Sequence, residues 1–138
     1  GAYLAPGTTV LREGFVSLNS GSLGPCKIEG RLSSGVVLGE QTTIGLAGTV
    51  MARHDGRGRR IPLSGGRHCT IGVSAGTVGV NLGDDCHIDK NILIDKDTPV
   101  ELVDEGRRVS AWELDGRDRM HFFRHPDFAA VCMRATEV

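Results

Sequence analysis

Three groups of residues have the types and spacing to do chemistry. The first is Glu13-Gly14-Phe15-Val16, followed by Asn19 and Gly21. A glutamate at a chain corner projects outward. There it is either a solvated carboxylate or, where a neighbouring subunit partly covers it, a general base. The second is Ile28-Glu29-Gly30-Arg31-Leu32-Ser33-Ser34-Gly35. Arg31 suits either a fork onto a substrate carboxylate or a surface ion pair. Gly35 suits either an unhindered N–H donor to an oxyanion or a plain corner. The third is the basic stretch holding Arg53, Arg57, Arg59 and Arg60. Those arginines fit either the phosphates of a coenzyme A or a solvated loop. His54 would be the base if the chain were an O-acetyltransferase, although Asp55 beside it in sequence is poorly placed to orient it.

A metal centre is not expected. The histidines stand at 54, 68, 87, 121 and 125, and a zinc site needs ligands that converge from adjacent segments. Only His68 and His87 fall within the regular part of the chain, with no compact pair among them. Cys26, Cys69, Cys86 and Cys132 form no C-x-x-C, which excludes a zinc ribbon and reads as four free thiols in a reducing cytoplasm. The nucleotide P-loop, the H-E-x-x-H metalloprotease pattern and the G-x-S-x-G elbow are absent from the sequence. A net charge of −1 argues against a general nucleic-acid binder, and no apolar run reaches membrane-spanning length.

The elements that must hold these residues follow from a six-residue step. Leu4, Val10, Val16 and Ile28 stand on one grid of sixes, with Ser22 between them; Leu38, Ile44 and Val50 form a second, and Leu82, Ile88, Ile94 and Val100 a third. Helices repeat at three and four residues and flat strands at two, so neither fits. A period of six is the signature of a hexapeptide-repeat β-helix, in which three short strands and three corners make one coil. Each aliphatic residue then points inward and stacks on its equivalent in the next coil, about 4.8 Å away. The 20 glycines are assigned to corners needing positive φ, and the 4% aromatic content suits a thin interior.

In 138 residues this gives about five coils of roughly 18 residues, spanning 1–103. The grid slips between Ile28 and Leu38, which implies a local bulge or a longer corner. Residues 52–66 interrupt the coils as an inserted loop. Residues 104–138 differ in composition and read as a small C-terminal cap. Within it, Val109–Leu114 and Met120–Phe123 are expected as strands joined through Asp115-Gly116, and Phe128–Met133 as a strand or a helix. The chain begins at Gly1, without Met and almost inside the first repeat, which suggests a further region upstream.

The motifs together resemble the tetrahydrodipicolinate N-succinyltransferases of the actinobacterial type. The resemblance runs through Glu13-Gly14-Phe15-Val16, Asn19, Gly21, Leu23-Gly24, Glu29-Gly30-Arg31 and Ser34-Gly35-Val36-Val37. It continues in Leu82-Gly83-Asp84-Asp85-Cys86 and in Glu113-Leu114-Asp115-Gly116 to Phe123-Arg124. It implies an all-β fold, a left-handed parallel β-helix, and a cytoplasmic homotrimer with its sites in the clefts between β-helices. It also implies succinyl transfer from succinyl-CoA to the nitrogen of tetrahydrodipicolinate, in diaminopimelate and lysine biosynthesis. By position, Glu13 would be the catalytic base or nucleophile, and Gly35 the oxyanion donor. Gly30, Arg31 and Ser33 would line the succinyl and substrate end, Gly72 and Val73 the pantetheine arm, and Arg124 would approach the cofactor. Family members carry an N-terminal domain that supplies metal ligands near the trimer axis; none is expected in this chain, which would be the C-terminal portion. The other readings are a non-catalytic β-helix relative or an acetyltransferase acting on another amine or a sugar.

Overall fold

The computed structural model describes residues 1–11, 13–54, 57, 60–61 and 63–136. The coils build three sheets of parallel strands. The first holds β1 (Tyr3–Leu4), β4 (Gly21–Ser22), β7 (Val36–Leu38) and β12 (Leu63–Gly65). The second holds β2 (Thr9–Val10), β5 (Lys27–Ile28), β8 (Thr43–Ile44), β13 (Thr70–Ile71) and β15 (His87–Ile88). The third holds β3 (Phe15–Val16), β6 (Arg31–Leu32), β9 (Thr49–Met51), β14 (Gly76–Val78) and β16 (Leu93–Asp95). The chain is therefore an all-β parallel β-helix. Between β9 and β12, β10 (Arg53–His54) and β11 (Arg60–Ile61) pair as an antiparallel hairpin, and Leu63 is already back in register on Val36.

Register explains the core. Val10, Ile28, Ile44, Ile71 and Ile88 stack in one inward column, and Val16, Leu32, Val50, Thr77 and Ile94 in another. Ile28, Leu32, Ile44, Ile88 and Ile94 are fully buried. The polar intruders are satisfied. Ser22 Oγ and Thr8 Oγ1 share a hydrogen bond of 2.9 Å, and Thr77 donates to the Val80 carbonyl at 2.9 Å. Cys69 and Cys86 occupy adjacent coils just before the paired Thr70 and His87.

The glycines do a different job from the one expected of them. Among the described residues, eight non-glycines but only five glycines have positive φ. The left-handed corners belong to residues such as Gln41, His68, Asp85, Ser74 and Asn91. Their N–H groups reach the corner carbonyls of Pro25, Glu40, Arg67, Leu46 and Val73 one coil away, which offsets the steric cost of the conformation. Many glycines instead answer close approach: a Cβ on Gly21, Gly30, Gly66 or Gly76 would lie within 2.1 Å of a carbonyl oxygen in the neighbouring coil.

The last segment closes the helix by reversing. β17 (Pro99–Leu102) pairs antiparallel with β18 (Arg107–Ser110), turning through Gly106, and a 3-10 turn follows at Ala111–Leu114. β19 (Met120–Phe123) then lies parallel to β15, and β20 (Val131–Ala135) is antiparallel to β19 and parallel to β17. These strands extend the second sheet to nine. The expected hairpin through Asp115-Gly116 is thus replaced. The chain already reverses at Gly106, so β18 pairs backward with β17, and the Ser110 N–H bonded to Glu113 Oε2 starts the 3-10 turn. Phe128–Met133 is resolved in favour of a strand from Val131.

Beyond β12 the first sheet is finished by side chains. Ser64 N–H donates to Asn81 Oδ1 at 2.8 Å, and Asn81 N–H donates to Asp115 Oδ1 at 2.6 Å. A parallel series runs from Arg67 N–H to Asp84 Oδ1 at 2.9 Å, and from Asp84 N–H to Asp118 Oδ1 at 2.7 Å.

Candidate active site

The grid slip is the reverse of the bulge or longer corner expected from the sequence: the chain drops two residues. From Val10 to Val16, and from Ile44 to Val50, the chain takes six residues to pass from the second sheet to the third. From Ile28 to Leu32 it takes four. This corner, Glu29-Gly30, is two residues shorter than its neighbours, so it cuts a notch into the edge of the helix. Gly30 is its floor. Phe15 N–H donates to the Gly30 carbonyl, and Arg31 N–H donates to that of Gly48, which brings the three corners into contact. A side chain on Gly30 would strike the Gly48 carbonyl.

The notch opens into a groove of about 490 Å³ lined by Glu13, Phe15, Gly30, Arg31, Leu46 and Met51, among others. Glu13 stands on the exposed preceding corner, where Gly14 sits against the Ile28 carbonyl and holds the corner close. Arg31 pairs in register with Phe15 and lays its guanidinium 5.4 Å from that ring's centre. The ring restricts the arginine while leaving its donors at the groove. A second groove of about 540 Å³ shares Phe15, Arg31 and Met51 and adds Ser33, Ser34 and Arg53. Ser33 Oγ accepts the Ala52 N–H at 2.9 Å, which leaves its hydroxyl proton and one lone pair for a ligand. The two grooves make the outer face of the third sheet a continuous trough with an acid at one edge and arginines along it.

Glu13, Gly30, Arg31 and Ser33 are thus brought to one surface. Gly35 is not among the residues lining either groove. It lies past Ser34, at the opposite edge of the third sheet from Glu13, with φ +80° and its carbonyl accepting the Leu63 N–H. Gly72 and Val73 lie on a full-length corner between the second and third sheets, further along the helix than the shortened corner of Gly30, with Val73 exposed. Arg124 follows β19, one strand beyond β15, and its Nη1 reaches the Ala129 carbonyl at 3.4 Å. Of the basic loop, Arg53 enters the second groove, while Asp55, Arg59 and the side chains of His54 and Arg60 lie outside the described residues.

All four thiols are free and buried, and the hydrogen bond from Cys69 holds Cys86 below the ordinary thiol range. Burial pushes Cys26 and Cys132 up from the ordinary thiol range, and Cys69 is pushed up by its hydrogen bond to Cys86 and then by burial.

One grouping escaped the sequence. The pair that forms lies between the coils and the C-terminal segment, where the sequence reading did not look: His121 lies directly on His87 in the β15–β19 register, with ring centres 4.9 Å apart, and Asp89 contacts both. The two histidines are separated by a reversing excursion, so no fixed repeat spacing announces them. The only available signal was the match of Met120-His121-Phe122 to the polar–apolar step of Cys86-His87-Ile88.

Comparison with known proteins points in one direction. Residues 62–96 match the family described as hexapeptide repeat of succinyl-transferase. Over 95% of its length the chain is 39% identical to the 2,3,4,5-tetrahydropyridine-2,6-dicarboxylate N-succinyltransferases of Pseudomonas paraeruginosa and Pseudomonas aeruginosa. The enzyme of the same name from Pseudomonas putida is 38% identical. The fold matches a Campylobacter jejuni structure, provisionally described as a 2,3,4,5-tetrahydropyridine-2-carboxylate N-succinyltransferase. The TM-score is 0.82 and the identity 27%, covering 98% of this chain and 39% of that one. The resemblance read from the motifs is therefore shown at the level of sequence and fold. The chain spans about two-fifths, 39%, of the length of the curated relatives it matches.

Proposed function

We propose that this chain is the acyl-transferring β-helix of a CoA-dependent N-succinyltransferase that moves succinyl from succinyl-CoA to the amine of tetrahydrodipicolinate. The observation that carries the proposal is the shortened Glu29-Gly30 corner, which sets Glu13 and Arg31 on one groove. The likeness to named succinyltransferases supports the reaction class.

In this reading the coil is left-handed with about five turns, and the protein works in the cytoplasm as a homotrimer. Glu13 takes the proton from the attacking amine as the CoA thiolate leaves, or attacks the thioester itself, expelling the CoA thiolate to form an anhydride that the amine then opens, freeing the carboxylate. Arg31 forks onto a carboxylate of the succinyl group or acceptor, with Gly30 and Ser33 beside it. Gly35 donates its N–H to the tetrahedral oxyanion. One chain holds Glu13 and Gly35 on opposite edges of the third sheet, so a neighbouring copy must complete the site. Gly72 and Val73 lie along the pantetheine arm, and Arg124 meets the cofactor. No metal ligand is needed for this chemistry.

Calorimetric titration with succinyl-CoA and acetyl-CoA, alongside the mass in solution, tests the donor site. The expectation is saturable binding that prefers succinyl-CoA, on a trimer. Binding of neither would favour a non-catalytic β-helix, and a preference for acetyl-CoA an acetyltransferase. In the enzyme with its full length restored, Glu13→Ala should lower kcat at least a hundredfold with the trimer intact. Undiminished turnover would remove Glu13 from the mechanism.

A further inference from the structure

We propose that His87, Asp89 and His121 form a binding site for a divalent transition-metal ion of the zinc class, on the outer face of the second sheet. The site stands apart from the groove of Glu13 and Arg31 and does not depend on the reading given to that groove.

The backbone brings the three residues together. His87 and His121 are register partners on adjacent parallel strands, so both rings leave the same face of the sheet. Asp89 follows Ile88 at the end of β15, and its N–H is tied to the Phe122 carbonyl at 3.0 Å. β19 is held from its other side by β20, with His121 opposite Arg134. That arginine is drawn over the Phe123 ring, 4.9 Å from its centre. Three candidate ligands are thus fixed by sheet hydrogen bonds before any ion arrives, which is the preorganisation a metal site needs.

The distances fit. Asp89 Oδ1 lies 3.1 Å from His87 Nε2 and 2.8 Å from His121 Nε2. All three ligand atoms lie within 4.8 Å of one another. Tetrahedral zinc with bonds near 2.0–2.1 Å separates its ligands by about 3.3 Å. The two carboxylate contacts need to open by a few tenths of an ångström, and the imidazoles to turn so that ligand atoms now spread over up to 4.8 Å close to that spacing. His87 and Asp89 are 43% and 41% exposed, so they can move, whereas His121, at 21%, is the anchor. The exposed side leaves a fourth position for water. Two imidazoles and one carboxylate suit zinc, cobalt or nickel, whereas magnesium and calcium require oxygen ligands. Bound there, an ion would staple β15 to β19 across the whole reversing excursion between them.

The test is a titration of the full chain with Co2+ followed by Zn2+, read by visible absorption and calorimetry, with Mg2+ as comparator. The expected result is one equivalent of cobalt with a nitrogen–oxygen spectrum free of thiolate charge transfer, displaced by zinc and not by magnesium. His87→Gln and Asp89→Asn should each weaken zinc at least tenfold with the β spectrum retained. Absence of a stoichiometric site, a thiolate band, or an affinity unmoved by both variants would overturn the proposal. The unaltered chain gives an independent readout, since an ion that binds only the folded form raises Tm. Zinc should raise it and magnesium should not; a Tm indifferent to zinc would also refute the site.

Discussion

The two ends of the β-helix meet the same requirement in opposite ways. Val10 opens one inward column and Phe122 carries it on beyond Ile88, yet Val10 is 39% exposed and Phe122 fully buried. The difference is cover. In the described chain nothing stacks on β2 from outside, and Tyr3, Leu4 and Phe15 are exposed with it. At the other end β17 to β20 and the 3-10 turn fold back, burying Leu114, Met120, Phe122 and Val131. A repeat buries its apolar face only against a neighbour, so identical positions in the pattern carry unequal energy.

The strongest way to break this contrast is to empty the column at each end. Phe122→Ala should cost about 3–5 kcal/mol, the usual loss for a buried aromatic ring, and Val10→Ala about 1 kcal/mol or less. Denaturant unfolding of both variants measures the two, and equal losses would show that the first coil is covered in solution. A second pair separates coil contact from corner geometry. Gly30→Ala forces a methyl into the Gly48 carbonyl and should cost about 3 kcal/mol. Gly106→Ala meets no atom within 4 Å and pays only for φ +66°, about 1–2 kcal/mol. Thermal melts should rank them in that order; the reverse order would mean that the notch can widen to take a methyl group.

The smallest effect lies on the margin of the first sheet. The Arg67 N–H donated to Asp84, helped by the guanidinium, holds that carboxyl below the usual carboxylate range. A depressed pKa contributes stability that is complete above the unfolded value and lost as pH falls through the folded one. NMR titration should place Asp84 below its neighbours, and Asp84→Asn should flatten that part of the acid limb. An Asp84 titrating with the exposed aspartates would show the hydrogen bond to be unimportant in solution.

Much of this architecture was legible because hexad spacing is a direct image of coil geometry. Ile28, Ile44, Ile88 and Ile94 could be assigned inward from sequence, and the slip after Ile28 marked the corner that makes the notch. Glu13, Gly30 and Arg31 were singled out by motif context, and the structure sets them on one groove, a distance relation that motif context does not carry. What spacing could not convey was long-range return. His121 meets His87 only because β18 and the 3-10 turn consume the intervening chain, and the hairpin predicted at Asp115-Gly116 had no way to compete on paper with the reversal at Gly106. The glycines misled for a similar reason. Their need arises from carbonyls one coil away, which no local rule of turn chemistry records.

The side-chain finish of the first sheet has a consequence for how such a molecule stops growing. A stack of coils is a template whose last rung invites another polypeptide, as the tip of a fibril does. Here main chain and side chains share that rung: the Gly116 N–H donates to the Asn81 carbonyl and the Arg119 N–H to that of Asp84, while the Asp115 and Asp118 carboxylates take the N–H groups of Asn81 and Asp84. The acceptors set out along this margin are charged side chains, which offer an incoming strand no regular ladder.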